Sequence, residues 1–243
     1  MTRLVLLSGW GCDARLWQPL AEYWPEGLAI SAPDWPGYGV RPPLAEPGSL
    51  AELAELADAM GNDLPADAVW VGWSLGGLLA TALLDHLPAP RAVVLLGVGE
   101  SFCHPAGIPE TQLSVFRQAF ARAPEATHRH FLRWQLAGEP DPRSAHRQLR
   151  ALLGDGGGDR LSGTDPATLA TGLDQLAELD NGERLARAPC PVWRVAGVRD
   201  PLLAPALRES ADQRLIEAGH CPMLSQPASL AACLAGIAGV SAS

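Results

Sequence analysis

The chain has 243 residues, 47% of them apolar, enough for one α/β domain with an insertion and a substantial core. Its formal charge of −9 argues against nucleic acid as a partner, and its 18 basic residues are all arginine, so arginine richness alone carries little functional weight. The five cysteines, Cys12, Cys103, Cys190, Cys221 and Cys233, are odd in number and widely spaced, which excludes a Cys-x-x-Cys zinc site or a disulfide framework and predicts free thiols in a reducing compartment.

Leu4 to Leu7 is a fully apolar run, as in a buried parallel strand. The loop Ser8-Gly9-Trp10-Gly11 follows, able to expose backbone N–H groups. Arg15 to Trp24 has apolar residues at helical spacing and predicts the first helix. Leu28 to Ala32 is the second strand, and Pro33 to Gly39 a turn-rich loop in which Asp34 structures a Pro-Gly turn. Ser49 is the expected cap of a helix with Leu50, Leu53, Leu56, Ala57 and Met60 on one face.

Next comes Val69-Trp70-Val71-Gly72-Trp73-Ser74-Leu75-Gly76-Gly77, a β-rich run passing into the helical run Leu78–Leu84. A Gly-x-Ser-x-Gly between strand and helix is the signature of a nucleophile elbow, with the serine in a strained conformation at the carboxyl edge of a sheet. Side chains at Gly72 or Gly76 are expected to collide with the neighbouring strand and helix. The apolar stretch Ala68–Leu84 approaches membrane-span length, but its three glycines and the elbow read as strand plus helix. The N-terminal apolar run is too short for a signal peptide, and we expect a cytoplasmic, monomeric protein with no membrane association.

Ala92 to Leu96 is the fourth strand. Four alternations of strand and helix predict parallel strands with right-handed crossovers in a doubly wound α/β sheet. From Glu100 to Arg187 no strand is expected; helical spacing appears in Gln112–Ala121, Glu125–Leu136, Arg143–Leu153 and Pro166–Leu179, with a loop at Gly154-Asp155-Gly156-Gly157-Gly158. The sheet resumes at Val192–Ala196 and Arg214–Glu217, and Ser229–Ile237 is a last helix. We therefore expect a core of residues 1–99 and 188–243, of about six strands, and a helical lid of residues 100–187 inserted after the fourth strand.

A serine hydroxyl becomes a nucleophile at neutral pH when an imidazole takes its proton, and the imidazole needs a carboxylate to fix its tautomer. With an elbow serine the order along the chain is serine, acid, histidine, each after a strand. Only His220 among the six histidines follows the last predicted strand, and Asp200 follows Val192–Ala196. Glu100, after the fourth strand, is the alternative acid. The oxyanion-hole donors are expected to be the backbone N–H groups of Leu75 and Trp10, with Gly9 and Gly11 letting the first loop approach the serine.

The set Gly-Trp-Gly, Asp-x-Pro-Gly-x-Gly, Gly-Trp-Ser-Leu-Gly-Gly, Gly-x-x-Asp and Gly-His-x-Pro resembles the α/β-hydrolase superfamily over nearly the whole chain. Within it, Trp10, Trp73, Leu75 and the segment Arg129–Gln135 are similar to the pimeloyl-[acyl-carrier protein] methyl ester esterases of biotin synthesis. The resemblance implies a carboxylesterase that cleaves the methyl ester of a pimeloyl chain on acyl carrier protein, lid arginines that grip the carrier's acidic helix, and no metal or organic cofactor. Three departures stand out: Ser8 replaces a histidine of the oxyanion loop, Val40 and Arg41 stand where a serine follows Pro-Gly-x-Gly, and the usual N-terminal antiparallel hairpin is not expected. Thioesterase, carbon–carbon hydrolase or cofactor-free lyase chemistry by the same triad, and a non-catalytic ligand-binding protein of the same fold, are the alternatives.

Two features bear on substrate. Phe131, with Leu132 and Leu136, is either the lining of an acyl tunnel or ordinary lid core. Arg143, Arg147 and Arg150 recur at i, i+4 and i+7 with no acidic residue from Pro142 to Leu153, and Arg129 and Arg133 form a second pair. These are either a docking face for an acidic partner or a solvated face.

Overall fold

A computed structural model describes residues 2–44, 52–154 and 164–240. Six parallel strands form one sheet: β1 (Thr2–Leu7), β2 (Leu28–Ser31), β3 (Ala68–Trp73), β4 (Ala92–Leu96), β5 (Val192–Gly197) and β6 (Gln213–Leu215), in the order β2-β1-β3-β4-β5-β6. The connection runs outward from β1 to β2, then returns to β3 on its other side. The winding therefore reverses between β1 and β3, and in open α/β sheets ligands bind beyond the carboxyl ends of the strands at such a point. Register brings the carboxyl ends side by side, with Leu7 opposite Gly72, Trp73 opposite Leu96, Leu96 opposite Val195 and Gly197 opposite Leu215.

The central strands β3 and β4 are apolar and buried throughout because both of their faces are covered. Val5, Leu7, Trp70, Val93 and Leu95 face one cluster with α1 (Glu52–Met60), α2 (Leu75–Ala82), α3 (Glu110–Arg122) and α6 (Pro166–Glu178). Leu4, Leu6, Val69, Val71, Trp73, Val94 and Leu96 face the other, with α5 (Pro142–Leu153), α9 (Pro222–Ser225) and α10 (Pro227–Ile237). The alternation follows from the two-residue period of a strand. Helix α4 (Pro124–Trp134) contributes to both clusters, Phe131 to the first and Leu132 to the second.

The first helix differs from expectation. Ala14–Tyr23 is a 3₁₀ segment. Pro19 lies inside it, has no N–H to donate and would press its ring on the carbonyl four residues back, which disfavours α geometry. Asp13 caps its start, Oδ1 accepting from the Arg15 amide at 3.0 Å. Leu53, Leu56, Ala57 and Met60 of α1 are buried as the spacing implies, whereas Ser49 and Leu50 lie outside the described residues. Of the glycine cluster expected as a loop, Gly154 ends α5, and Asp155 to Gly158 lie outside the described residues. Three short helices escape sequence periodicity: α7 (Gly182–Ala186), α8 (Pro205–Glu209) and α9. Between β4 and β5 the described residues form helices and loops and no strand, apart from a single antiparallel bridge from Ser101 to Asp180. No helix there or elsewhere among them is long and apolar enough to cross a membrane.

Candidate active site

The turn from β3 to α2 positions Ser74. Its φ of 55° and ψ of −124° make it the one residue other than glycine with positive φ among the described residues. Space explains the flanking glycines. A Cβ on Gly72 would lie 2.4 Å from Cα of Gly77, and one on Gly76 would lie 2.5 Å from the carbonyl oxygen of Leu7. The Ser74 amide donates to the Leu96 carbonyl at 2.9 Å, tying the elbow to the end of β4. Ser74 immediately precedes α2, and a helix N-terminus favours negative charge beside it.

Asp200 and His220 meet in the loops after β5 and β6. Asp200 Oδ2 lies 2.8 Å from His220 Nδ1, and Oδ1 accepts from the Leu202 amide at 2.8 Å. The Asp200 backbone carbonyl accepts from the Arg208 guanidinium. A buried carboxylate with both oxygens occupied is held in one orientation. On the other edge of the imidazole, Nε2 is buried with no hydrogen-bond partner, Ser74 Oγ included. The Trp73 ring tilts over the imidazole at 5.1 Å between centroids, and its N–H donates to the His220 carbonyl at 2.7 Å.

Trp10 follows β1. Gly9 brings this loop against the elbow, since a Cβ there would lie 2.9 Å from Cβ of Ser74. Gly11 does otherwise than expected: it approaches His128 of α4, whose Nε2 lies 3.1 Å from the Gly11 carbonyl oxygen. Among the described residues the Trp10 and Leu75 amides donate no backbone hydrogen bond outside regular helix and strand pairing. The Trp10 ring is edge-on to Phe116, Phe120, His128 and Phe131, the last at 4.9 Å, and its indole N–H donates to the Leu169 carbonyl of α6 at 2.7 Å. Helices α3, α4 and α6 thus pack against the Trp10 ring, and Ser74 and His220 are 3% and 1% exposed.

The other expected residues separate. Glu100, the alternative acid, lies at the surface, 3.8 Å from Arg194. The Asp34 side chain reaches outside the turn in which it was expected to act: its Oδ1 accepts the Ala14 amide at 2.8 Å at the start of the 3₁₀ segment. Phe131 borders a small apolar pocket with Phe102, Phe116, Trp134 and Leu173. Leu132, the next residue on the helix and so about 100° round from Phe131, faces the opposite cluster, as does Leu136 beyond the end of α4. Arg143 and Arg147 stand exposed on α5, whose other face buries Ala145 and Leu149. All five cysteines are free. Burial pushes the Cys12 thiol up to about 12 and raises that of Cys221 well above the ordinary range, so neither offers a thiolate to rival the serine.

The alpha/beta hydrolase family profile matches residues 4–233. The chain belongs to that family. It is 34% identical to the pimeloyl-[acyl-carrier protein] methyl ester esterase of Aromatoleum aromaticum, over 92% of this chain and 93% of that one. It is 30% identical to the enzyme of the same name from Vibrio vulnificus, over 97% and 94%. Among solved structures, an esterase from Exiguobacterium antarcticum shares the fold with a TM-score of 0.78, 14% identity and coverage of 98% and 92%. This member of the family is accordingly an enzyme of the esterase class.

Sequence reasoning missed Glu139, buried between α4 and α5 with its carboxylate on the His220 loop. It also missed the Trp73 bond to that loop. A lone glutamate in Gly138-Glu139-Pro140 looks like any surface turn, and no local signal marks it.

Proposed function

We propose that Ser74, His220 and Asp200 form a catalytic triad that hydrolyses a carboxylic ester through an acyl-enzyme. The observation that carries this reading is the arrangement around His220: Nδ1 bound to a buried carboxylate, Nε2 left unpaired at the edge of the sheet that bears the strained Ser74. His220 Nε2 takes the serine proton as Oγ bonds to the ester carbon. The carbonyl oxygen becomes an oxyanion, held by the Trp10 and Leu75 amides. When the carbon–oxygen bond to the alcohol breaks, His220 returns that proton to the leaving alkoxide. Water then repeats the sequence on the acyl-serine and releases the acid.

For the substrate we propose the methyl ester of pimeloyl-acyl carrier protein, in biotin synthesis. The support is the name shared by relatives aligned over nearly their full length. In this reading residues 100–187 form a lid, Trp10 and Phe131 contact the acyl chain beneath it, and Arg143 and Arg147 engage the acidic carrier. Purified enzyme should release methanol from pimeloyl-acyl carrier protein methyl ester, and the gene should restore growth without biotin to a strain lacking this esterase. Hydrolysis of small esters without either result overturns the substrate and leaves the triad.

A further inference from the structure

Glu139 lies between α4 and α5 and is 4% exposed. Its carboxylate is occupied by groups far away in sequence. Oε2 accepts the Gly219 amide at 3.0 Å and the Ser225 hydroxyl at 2.5 Å, and Oε1 accepts the Cys221 amide at 2.7 Å. The two amides flank His220, so a single carboxylate grips the backbone on either side of that residue. The approach is close: a Cβ on Gly219 would lie 2.7 Å from the Gly138 carbonyl carbon and 2.8 Å from Glu139 Oε1. The same turn touches the acid loop, since a Cβ on Gly138 would overlap the Arg199 carbonyl oxygen.

We infer that Glu139 is a positioning residue for His220, fixing the imidazole from the inserted helical segment. The inference rests on the proposed triad. Asp200 fixes the ring at Nδ1, and the Trp73 indole fixes the backbone carbonyl. Glu139 takes the two amides that flank His220. A neutral surrogate fails at this site for a geometric reason. A glutamine presents one acceptor and one NH₂ group, so one flanking amide then faces a donor in place of an acceptor. The loop must shift to relieve that clash, and the imidazole shifts with it. A misplacement of about 1 Å in a reacting group costs on the order of 10²-fold in rate.

The test is Glu139→Gln in the full chain, assayed on a small free ester with active sites counted by a serine-reactive fluorophosphonate. The expected result is a kcat per titrated site lower by on the order of 10²-fold with KM within twofold, because the substrate pocket is untouched. A residue with a merely structural role lowers the melting temperature or the number of sites and leaves kcat per site alone; that result overturns the inference. His220→Gln is run beside it. If it keeps wild-type activity, the triad reading fails and takes this inference with it; if it is inactive while Glu139→Gln turns over normally, only the positioning role fails. A second measurement uses the wild-type chain, independent of how the variant folds. The Gly219 and Cys221 amides should exchange hydrogen on the order of 10²-fold more slowly than unpaired loop amides, and exchange at unprotected rates overturns the inference.

Discussion

Nδ1 of His220 lies 2.8 Å from Oδ2 of Asp200, and both side chains are wholly shielded from solvent. In the proposed triad that carboxylate sets the tautomer and leaves Nε2 to accept a proton. Asp200→Asn puts an amide where an acceptor is needed and favours the wrong tautomer, so kcat on a test ester should fall by about 10⁴-fold. Glu100→Gln should leave kcat within about twofold, because Glu100 forms only an exposed pair with Arg194. Steady-state assays of both variants decide the acid, and the reverse pattern moves it to the earlier strand.

Ser74 carries backbone strain that two substitutions separate from its chemistry. Ser74→Ala keeps a Cβ at φ 55° and should lower kcat by about 10⁶-fold with little change in melting temperature. Ser74→Gly removes the Cβ that makes this conformation costly. Strain of this kind is worth on the order of 1–3 kcal/mol, partly offset by the extra freedom glycine gains in the unfolded chain. A net gain of about 1 kcal/mol should raise the melting temperature by roughly 2–4 °C in a chain of this size. Calorimetry that finds the alanine variant equal to or more stable than the glycine variant contradicts the strain.

The strands and the longer helices were legible because each repeats its pattern for several residues. Val192–Gly197 and Pro166–Glu178 lie within a residue or so of where their spacing puts them. The four-residue α9 and five-residue α8 hold scarcely one turn, too little for a period to register. Pro19 marked a break in the first helix that apolar spacing alone passed over. The site divides in the same way. The places of Ser74, Asp200 and His220, after β3, β5 and β6, were readable because the chain visits the sheet's carboxyl edge in order. Glu139 was not, since its partners lie 80 or more positions away and only the folded chain brings them together.

His128 couples stability to pH. Burial is the main cause that lowers its pKa below the ordinary 6.5, with Arg129 adding to the effect and the bond to the Gly11 carbonyl opposing it. The unfolded chain takes up a proton near pH 6.5 while the folded chain still resists it. Stability is therefore fully present above that pH and falls as pH drops toward the lower, folded value, by up to about 1.4 kcal/mol per unit. His128→Gln keeps a donor for the Gly11 carbonyl and removes the titration. His146, also lowered by burial, remains in both proteins and cancels from the comparison. Urea midpoints at pH 7.5, 6.5 and 5.5 should show the wild type losing its advantage over the variant on acidification. A constant difference would refute the linkage.

Arg143 and Arg147 decide between a docking face and a solvated one. Both are exposed, and among the described residues neither makes an ion pair, so both guanidinium groups are available to an acidic partner. If they engage the proposed carrier, they act on encounter and binding and not on bond cleavage. Replacing both with alanine should raise KM for a carrier-linked ester and leave kcat for a small free ester nearly unchanged. Each exposed pair contributes about 0.2–1 kcal/mol. Two pairs predict roughly a two- to thirtyfold loss in kcat/KM, at 1.4 kcal/mol per factor of ten. Added salt should shrink the loss, because exposed charges are screened beyond ~8 Å at physiological ionic strength. Equal losses on free and carrier-linked esters would instead trace to α5 itself, whose buried Ala145, Leu149 and Leu153 anchor it to the core beside the 3₁₀ segment. No loss on either ester at low salt makes the arginines a solvated face and removes the electrostatic argument for a carrier-bound substrate.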